Sequence, residues 1–206
     1  MQNFDKQQHW ETIYQTKALN EVSWYQKVPT TSLDYVKQLN LPLTSKIIDI
    51  GGGDSFFVDF LLDLGYTDIT IVDISATSLK RAQQRLGVEA EKIKWIQADA
   101  ANFKPTEKYD FWHDRAAFHF LTEEQEIKNY IENLRDSITT KGFVVMGTFS
   151  EQGPTKCSGI EIKQYSETSL SQLFVKGFEK IECKRVNHIS PNNSVQNFVF
   201  CSFQKI

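Results

Sequence analysis

The chain has 206 residues, 40% of them apolar and 13% aromatic, with a formal net charge of −3. That size suits one domain with at most a short appendage, and no stretch approaches the roughly 18 to 20 uninterrupted apolar residues of a membrane-spanning helix. Lysine and arginine are dispersed rather than striped, which argues against a nucleic acid partner; Met1 to Lys6 lacks the basic start and apolar run of a secretory signal.

In chain order, aromatics concentrate first in His9-Trp10-Glu11-x-x-Tyr14 and Val22-Ser23-Trp24-Tyr25-Gln26, in a stretch with few strand signals. From about residue 46, short apolar runs alternate with amphipathic ones, the pattern of a mostly parallel sheet covered by helices. Lys46 to Ile50 reads as the first strand, ending at Gly51-Gly52-Gly53, and Phe56 to Leu64 as a helix stopped by Gly65. Ile69 to Val72 forms the second strand, ending at Asp73; Ser75 caps a helix carrying Leu79, Ala82 and Leu86 that closes at Gly87. Ile93 to Ile96 is the third strand, and Phe111-Trp112-His113 centres the fourth.

Thr122 to Gln125 reads as a capping box for a helix with Ile127, Ile131, Leu134 and Ile138 on one face. Phe143 to Phe149 is the fifth strand. After a loop, Gly153 to Gly159, Ser166 starts another helix. Phe178 to Val186 and Val195 to Phe203 then follow with only the turn residues Pro191-Asn192-Asn193 between, so they pair antiparallel. An ordinary dinucleotide-binding domain would end on a parallel strand instead.

The three cysteines, Cys157, Cys183 and Cys201, and the four histidines, His9, His113, His119 and His188, show no metal-ligand spacing, so no metal site is expected. Cys183 and Cys201 read as reduced thiols buried in apolar strands, and Cys157 as the candidate for an exposed one. An odd, unpatterned count suits a reducing cytoplasm.

Asp49-Ile50-Gly51-Gly52-Gly53-Asp54-Ser55 carries the strongest chemical signal, because glycines after a strand permit a sharp turn and close approach of a ligand to the backbone. A dinucleotide fingerprint needs glycine where this chain has Phe56. Asp73, with Ile74 beside it, closes the second strand, where a carboxylate can accept both ribose hydroxyls of an adenosine; it could also simply serve the helix that follows. Asp99-Ala100 closes the third strand, where the carboxylate could accept from an adenine amino group or merely shape a turn. Three acidic residues ending three successive strands point to adenosine bearing a charged amino-acid tail.

These residues resemble the first three motifs of class I S-adenosylmethionine (SAM)-dependent methyltransferases: Asp49-x-Gly51-x-Gly53, Asp73 and Asp99-Ala100. The similarity covers roughly residues 35 to 203 and implies an α/β fold. Its sheet would be seven-stranded and mostly parallel, in the order 3-2-1-4-5-7-6 with strand 7 antiparallel and helices on both faces. It divides the chain into an N-terminal aromatic helix and lid segment, 1–32, and a methyltransferase domain, 33–206. It implies SAM as cofactor, with Asp49, Gly51 and Gly53 at the methionine moiety, Asp73 and Ile74 at the ribose, and Asp99 and Ala100 at the adenine. Ser55 stands where the family usually has a third glycine. Many bacterial members carry a Trp-Glu-x-x-Tyr and Ser-Trp-Tyr pair in a lid, which makes Trp24 and Tyr25 lid candidates. Trp10 and Tyr14 read equally well as core aromatics.

Asp114-Arg115 after the fourth strand is similar to the equivalent stretch of thiopurine methyltransferase and of protein-lysine enzymes. It places Asp114 near the transferable methyl, to orient the cofactor amino group or the substrate, with Arg115 as a possible ion-pair partner. If a base is needed, His113, Asp114 and His119 are the catalytic candidates by location; as histidines among aromatics, His113 and His119 read more simply as packing or hydrogen-bonding residues. The expected acceptor is a small molecule or a protein side chain. The alternatives are an NAD-dependent oxidoreductase, disfavoured by Phe56 and the terminal hairpin, and a SAM-binding interaction module without catalysis.

Overall fold

The computed structural model describes residues 4–206. Helix α1 (Lys6–Thr16) starts where the Asp5 carboxylate accepts from the Gln8 N–H, and α2 (Thr30–Leu39) buries Leu33, Tyr35 and Val36 before ending at a left-handed Asn40. α2 has no counterpart among the predicted helices and runs across the boundary expected between residues 32 and 33.

The alternation then follows: β1 (Lys46–Ile50), α3 (Phe57–Asp63), β2 (Asp68–Asp73), α4 (Ala76–Leu86), β3 (Ile93–Gln97), β4 (Tyr109–Arg115), α5 (Glu124–Ser137) and β5 (Ile138–Phe149). A two-residue hairpin, β6 (Lys156–Cys157) with β7 (Ile160–Glu161), and α6 (Glu167–Gln172) precede the long final strands β8 (Phe178–Ile189) and β9 (Val195–Lys205). The main sheet runs β3-β2-β1-β4-β5-β9-β8. β1 to β5 are mutually parallel, and β9 is antiparallel to both its neighbours. With the small hairpin set aside, this is the predicted order 3-2-1-4-5-7-6 with the seventh strand antiparallel.

Strand periodicity divides the apolar residues between two cores. Ile48 and Ile50 of β1 and Val144 and Met146 of β5 join Ile131 and Leu134 of α5 and Leu170 of α6 on one face. Ile47 and Val145 join Val36 of α2, Phe57 and Leu61 of α3 and Leu79 of α4 on the other. Both faces of the central strands are therefore largely apolar, and the buried carboxylates Asp49, Asp73 and Asp114 sit toward the carboxyl ends, where the site forms.

Four local expectations are corrected. α5 has Glu123 at its N-cap, with no side-chain capping bond from Thr122, and Ile138 leaves the helix to begin β5 in extended conformation. Ser75 does cap α4, accepting from the Ser78 N–H. Cys157 is buried, 6% exposed. Cys183 and Cys201 are not separate thiols: the β8–β9 register sets them opposite one another and a disulfide joins them. Their spacing along the chain gives no hint of this, because hairpin register decides which residues meet. Among the described residues no helix is long and apolar enough to cross a membrane.

Candidate active site

The carboxyl ends of β1 to β5 open into a concave cleft, the usual place for a ligand in such a sheet. One half is built by the first three strands. Gly51 leaves β1 with φ +67°, and a Cβ there would lie 2.5 Å from Ala117 Cβ. Gly53 turns at φ +39°, where a Cβ would lie 2.6 Å from Asp73 Oδ2. Both glycines are thus required by conformation and by space; Gly51 leaves main chain bare at the cleft, while Gly53 packs beneath the turn and lines neither the cleft nor the recess beside it.

Asp73 is 6% exposed, not at a solvent-facing strand end as its position suggests, because α1 covers it. Its Oδ1 accepts from the Ser75 N–H at 2.8 Å. Burial pushes its pKa up to about 7, with Asp49 and Glu11 adding to the rise and the Ser75 and Ser78 hydrogen bonds opposing it. Ile74, Asp99 and Ala100 line the same half. Asp99 also shapes its own turn, its Oδ1 accepting from the Ala101 N–H at 2.9 Å. A buried carboxylate that lacks a cation, beside bare glycine backbone, fits the ribose of an adenosyl group, so these residues suit SAM.

Asp49 lies under the glycine turn, with Oδ1 2.6 Å from His113 Nδ1; His113 Nε2 is 2.8 Å from Ser32 Oγ. Both ring nitrogens are therefore occupied, and His113 borders only the narrow recess around Asp49, Gly52 and Ser55. The structure places it as a support for Asp49. Ser55, in the place of the third glycine, keeps its hydroxyl on the Phe57 N–H.

Asp114 and Arg115 diverge, as neighbours on a strand must. Asp114 is wholly buried on the α5 face: Oδ1 accepts from the Ala117 and Phe118 N–H groups and Oδ2 from the Tyr130 hydroxyl at 2.7 Å. Burial raises its pKa to about 6 in spite of those bonds. It lines neither the cleft nor the recess, and it forms no ion pair with Arg115. The expected placement beside the methyl is therefore corrected; the carboxylate is consumed in holding the turn after β4.

His119 is also fully buried, its Nδ1 accepting from the Phe149 N–H at 3.3 Å. Burial, with Arg115 nearby, drives its pKa down to about 3, so it remains neutral across the working range.

The other half of the cleft is apolar and was not foreseen as a unit. Phe120 after β4, Phe149 of β5, Cys157 of β6 and Phe198 of β9 line it, with Arg115 at the junction of the halves. Over it stand Trp10 and Tyr14 of α1 and Trp24. Trp10 makes edge contacts with Phe120 at 4.9 Å and Trp24 at 5.6 Å, and Tyr14 lies 6.1 Å from Trp24. Tyr25 does not join them; its ring lies 6.2 Å from Phe56, outside this cleft. Trp10 and Tyr14 share one α1 face by their four-residue spacing, the one signal available in sequence. What fixes α1 over the cleft is Glu11, whose carboxylate accepts from the Ala76 and Thr77 N–H groups at the α4 N-terminus, where a helix presents unpaired donors. Arg81 of α4 returns the contact, donating to the Tyr14 and Lys17 carbonyls at 2.9 Å each.

Residues 47–142 match the model of a methyltransferase domain family. EEF1A lysine methyltransferase 2 of Mus musculus is 21% identical over 85% of this chain and 72% of its own. Malonyl-[acyl-carrier protein] O-methyltransferase 1 of Ilyobacter polytropus is 25% identical over 68% of this chain and 52% of its own. Among solved structures, the N-methyltransferase NodS of Bradyrhizobium japonicum, in complex with S-adenosylhomocysteine (SAH), superposes with a TM-score of 0.69 at 16% identity, over 98% of this chain and 99% of that one. With a methyltransferase domain matched from β1 into β5 and the antiparallel seventh strand beyond it, the chain carries a methyltransferase domain in the fold of class I SAM-dependent methyltransferases.

Proposed function

We propose that this enzyme methylates a small organic acceptor held in the apolar half of the cleft, with a protein side chain as the second acceptor class that its relatives' names suggest. The carrying observation is one continuous cleft with two unlike halves. Asp73, Asp99 and Gly51 lie at one end; Phe120, Phe149, Cys157 and Phe198 lie at the other, under Trp10 and Trp24. In this reading Asp73 and Ile74 hold the ribose, Asp99 and Ala100 the adenine, and Asp49 with the glycine turn the amino-acid tail.

SAM supplies a methyl group on a sulfonium, already an excellent leaving group. The protein's task is then to orient an acceptor in line and exclude water. The aromatic roof does both, because ring faces attract a cation and shed solvent. Asp114 and His119 do not line the cleft and His113 has both nitrogens engaged, so none is positioned as a base toward an acceptor here. The acceptor atom is accordingly one that arrives as a free nucleophile. An acceptor other than nucleic acid belongs to the same proposal, supported by the net charge of −3; a cytoplasmic setting belongs to it with the Cys183–Cys201 pair held reduced there.

The test is transfer of labelled methyl from SAM into cell extract, separated into metabolite, protein and nucleic acid fractions. Label in the metabolite fraction supports the proposal. Label confined to protein makes the cleft a side-chain channel and sinks the small-molecule reading.

A further inference from the structure

Arg115 ends β4 at the junction of the two halves of the cleft, opposite Gly147 of β5 in the strand register. Its Nη1 donates to the Trp24 carbonyl at 3.1 Å, and its Cζ stands 5.2 Å over the Phe198 ring. Its Nη2 is buried and has no hydrogen-bond partner. Among the described residues no carboxylate forms an ion pair with it: Asp114 is spent on Tyr130 and the β4 turn, and Asp49 Oδ1 is held by His113. Burial lowers the guanidinium pKa to about 10, which still leaves it charged at neutral pH.

A buried charge without a bonded counter-charge is strongly destabilising, and a ligand that completes the pair would offset that cost. The walls around this one are aromatic. A guanidinium is also the group best matched to a planar anion, through its fixed fork of donors. Resting on the functional reading above, we infer that Arg115 anchors the methyl acceptor, and that the acceptor is a small molecule carrying a carboxylate on a planar or apolar body. The body would lie among Phe120, Phe149 and Phe198, with its carboxylate on the free Nη2 donor.

A carboxylate could reach Arg115 from a second source, the amino-acid tail of the cofactor, since Arg115 also borders the recess that holds Asp49. The structure favours the acceptor. The guanidinium is stacked on Phe198 of β9 with Cys157 of β6 also among its electrostatic neighbours, whereas Asp49, the charge that acts on it most from the cofactor side, already accepts from His113.

The experiment separates the two sources. Wild type, Arg115→Gln and Arg115→Lys are each titrated with SAH by calorimetry. Each SAH-loaded protein is then titrated with benzoate and with benzamide, a neutral analogue of matching shape, following tryptophan fluorescence. The expected result is SAH affinity unchanged within about threefold across the variants, with benzoate binding wild type about tenfold or more tighter than benzamide. Arg115→Gln should lose that preference, and Arg115→Lys should keep only part of it. Benzoate binding no tighter than benzamide, or binding of neither, overturns the inference. A drop in SAH affinity of about tenfold or more in Arg115→Gln also overturns it, by giving Arg115 to the cofactor's own carboxylate. Failure of wild type to bind SAH at all would strike the functional reading itself, a different signature from either.

Discussion

Asp73 shows how burial makes one residue both useful and costly. Its unfolded pKa is near the ordinary value of about 3.9, whereas the native one is raised to about 7, chiefly by burial. A raised acid favours the native state only while protonated. Its contribution is complete below about pH 4 and is lost as pH rises through about 7. At pH 8 the ionised carboxylate therefore burdens the ligand-free fold, and Asp73→Asn should melt above wild type there, with the difference vanishing near pH 4. Binding should run the other way. Ribose hydroxyls donate to the ionised form, so SAH affinity should tighten as pH rises to about 7 and then level off. Asp73→Asn should bind more weakly by on the order of 1.5 to 3 kcal/mol and lack that slope. Calorimetry from pH 4 to 8.5 measures both, and a flat wild-type affinity profile would remove Asp73 from the ribose site. The residue was legible in the sequence as the end of a strand. Its burial was not, because the cover comes from α1, distant along the chain.

At the scale of elements, the strands and their order followed from local pattern: apolar runs, glycine stops and the Ser75 cap are all short-range signals. Tertiary contacts escaped it. Nothing near Glu11 announces that it serves the α4 N-terminus, and nothing near Trp10 announces Phe120. The Asp114–Arg115 pair shows the limit most sharply: alternation demands that they face opposite sides, but which one meets the cleft is set by where Tyr130 and Phe198 lie. The lid we propose is consequently α1 together with Trp24, fastened at Glu11 and Arg81, and not the Trp24–Tyr25 pair. Glu11→Ala should release that fastening while leaving the two cores intact, since its carboxylate touches only the α4 terminus; a cap lost costs about 0.5 to 2 kcal/mol. Hydrogen exchange across residues 6 to 30 should rise in Glu11→Ala and fall when SAH is added to wild type. Trp24→Ala should lower turnover more than melting temperature. Exchange across this region that is equal with and without SAH would show the aromatics to be permanent core, and the lid idea would be abandoned.

For the whole molecule, the two cores are joined through one sheet whose carboxyl edge carries the cleft, so a ligand there touches groups fixed to both. Phe149 and Phe198 belong to the core packed by α2, α3 and α4; Val72 and Leu121 belong to the core packed by α5 and α6. Separating the layers would dismantle the site, and occupying the site resists separation. A ligand bound only by the folded state stabilises it by mass action, about 2.7 kcal/mol at a concentration one hundred times its Kd. For a domain of this size each kcal/mol moves the midpoint by roughly 2 to 4 °C. Saturating SAH should therefore raise the melting temperature by roughly 5 to 10 °C, in a single transition followed equally by tryptophan fluorescence and far-ultraviolet dichroism. Tryptophan reports on the lid and cleft through Trp10 and Trp24, dichroism on the sheet and helices throughout. NADH at the same concentration should leave the midpoint in place, because Phe56 stands where a pyrophosphate would need glycine. A fluorescence transition that shifts with SAH while the dichroism transition stays put would mean that the ligand steadies the lid alone, and that the cleft is not tied to the two cores as its lining residues indicate.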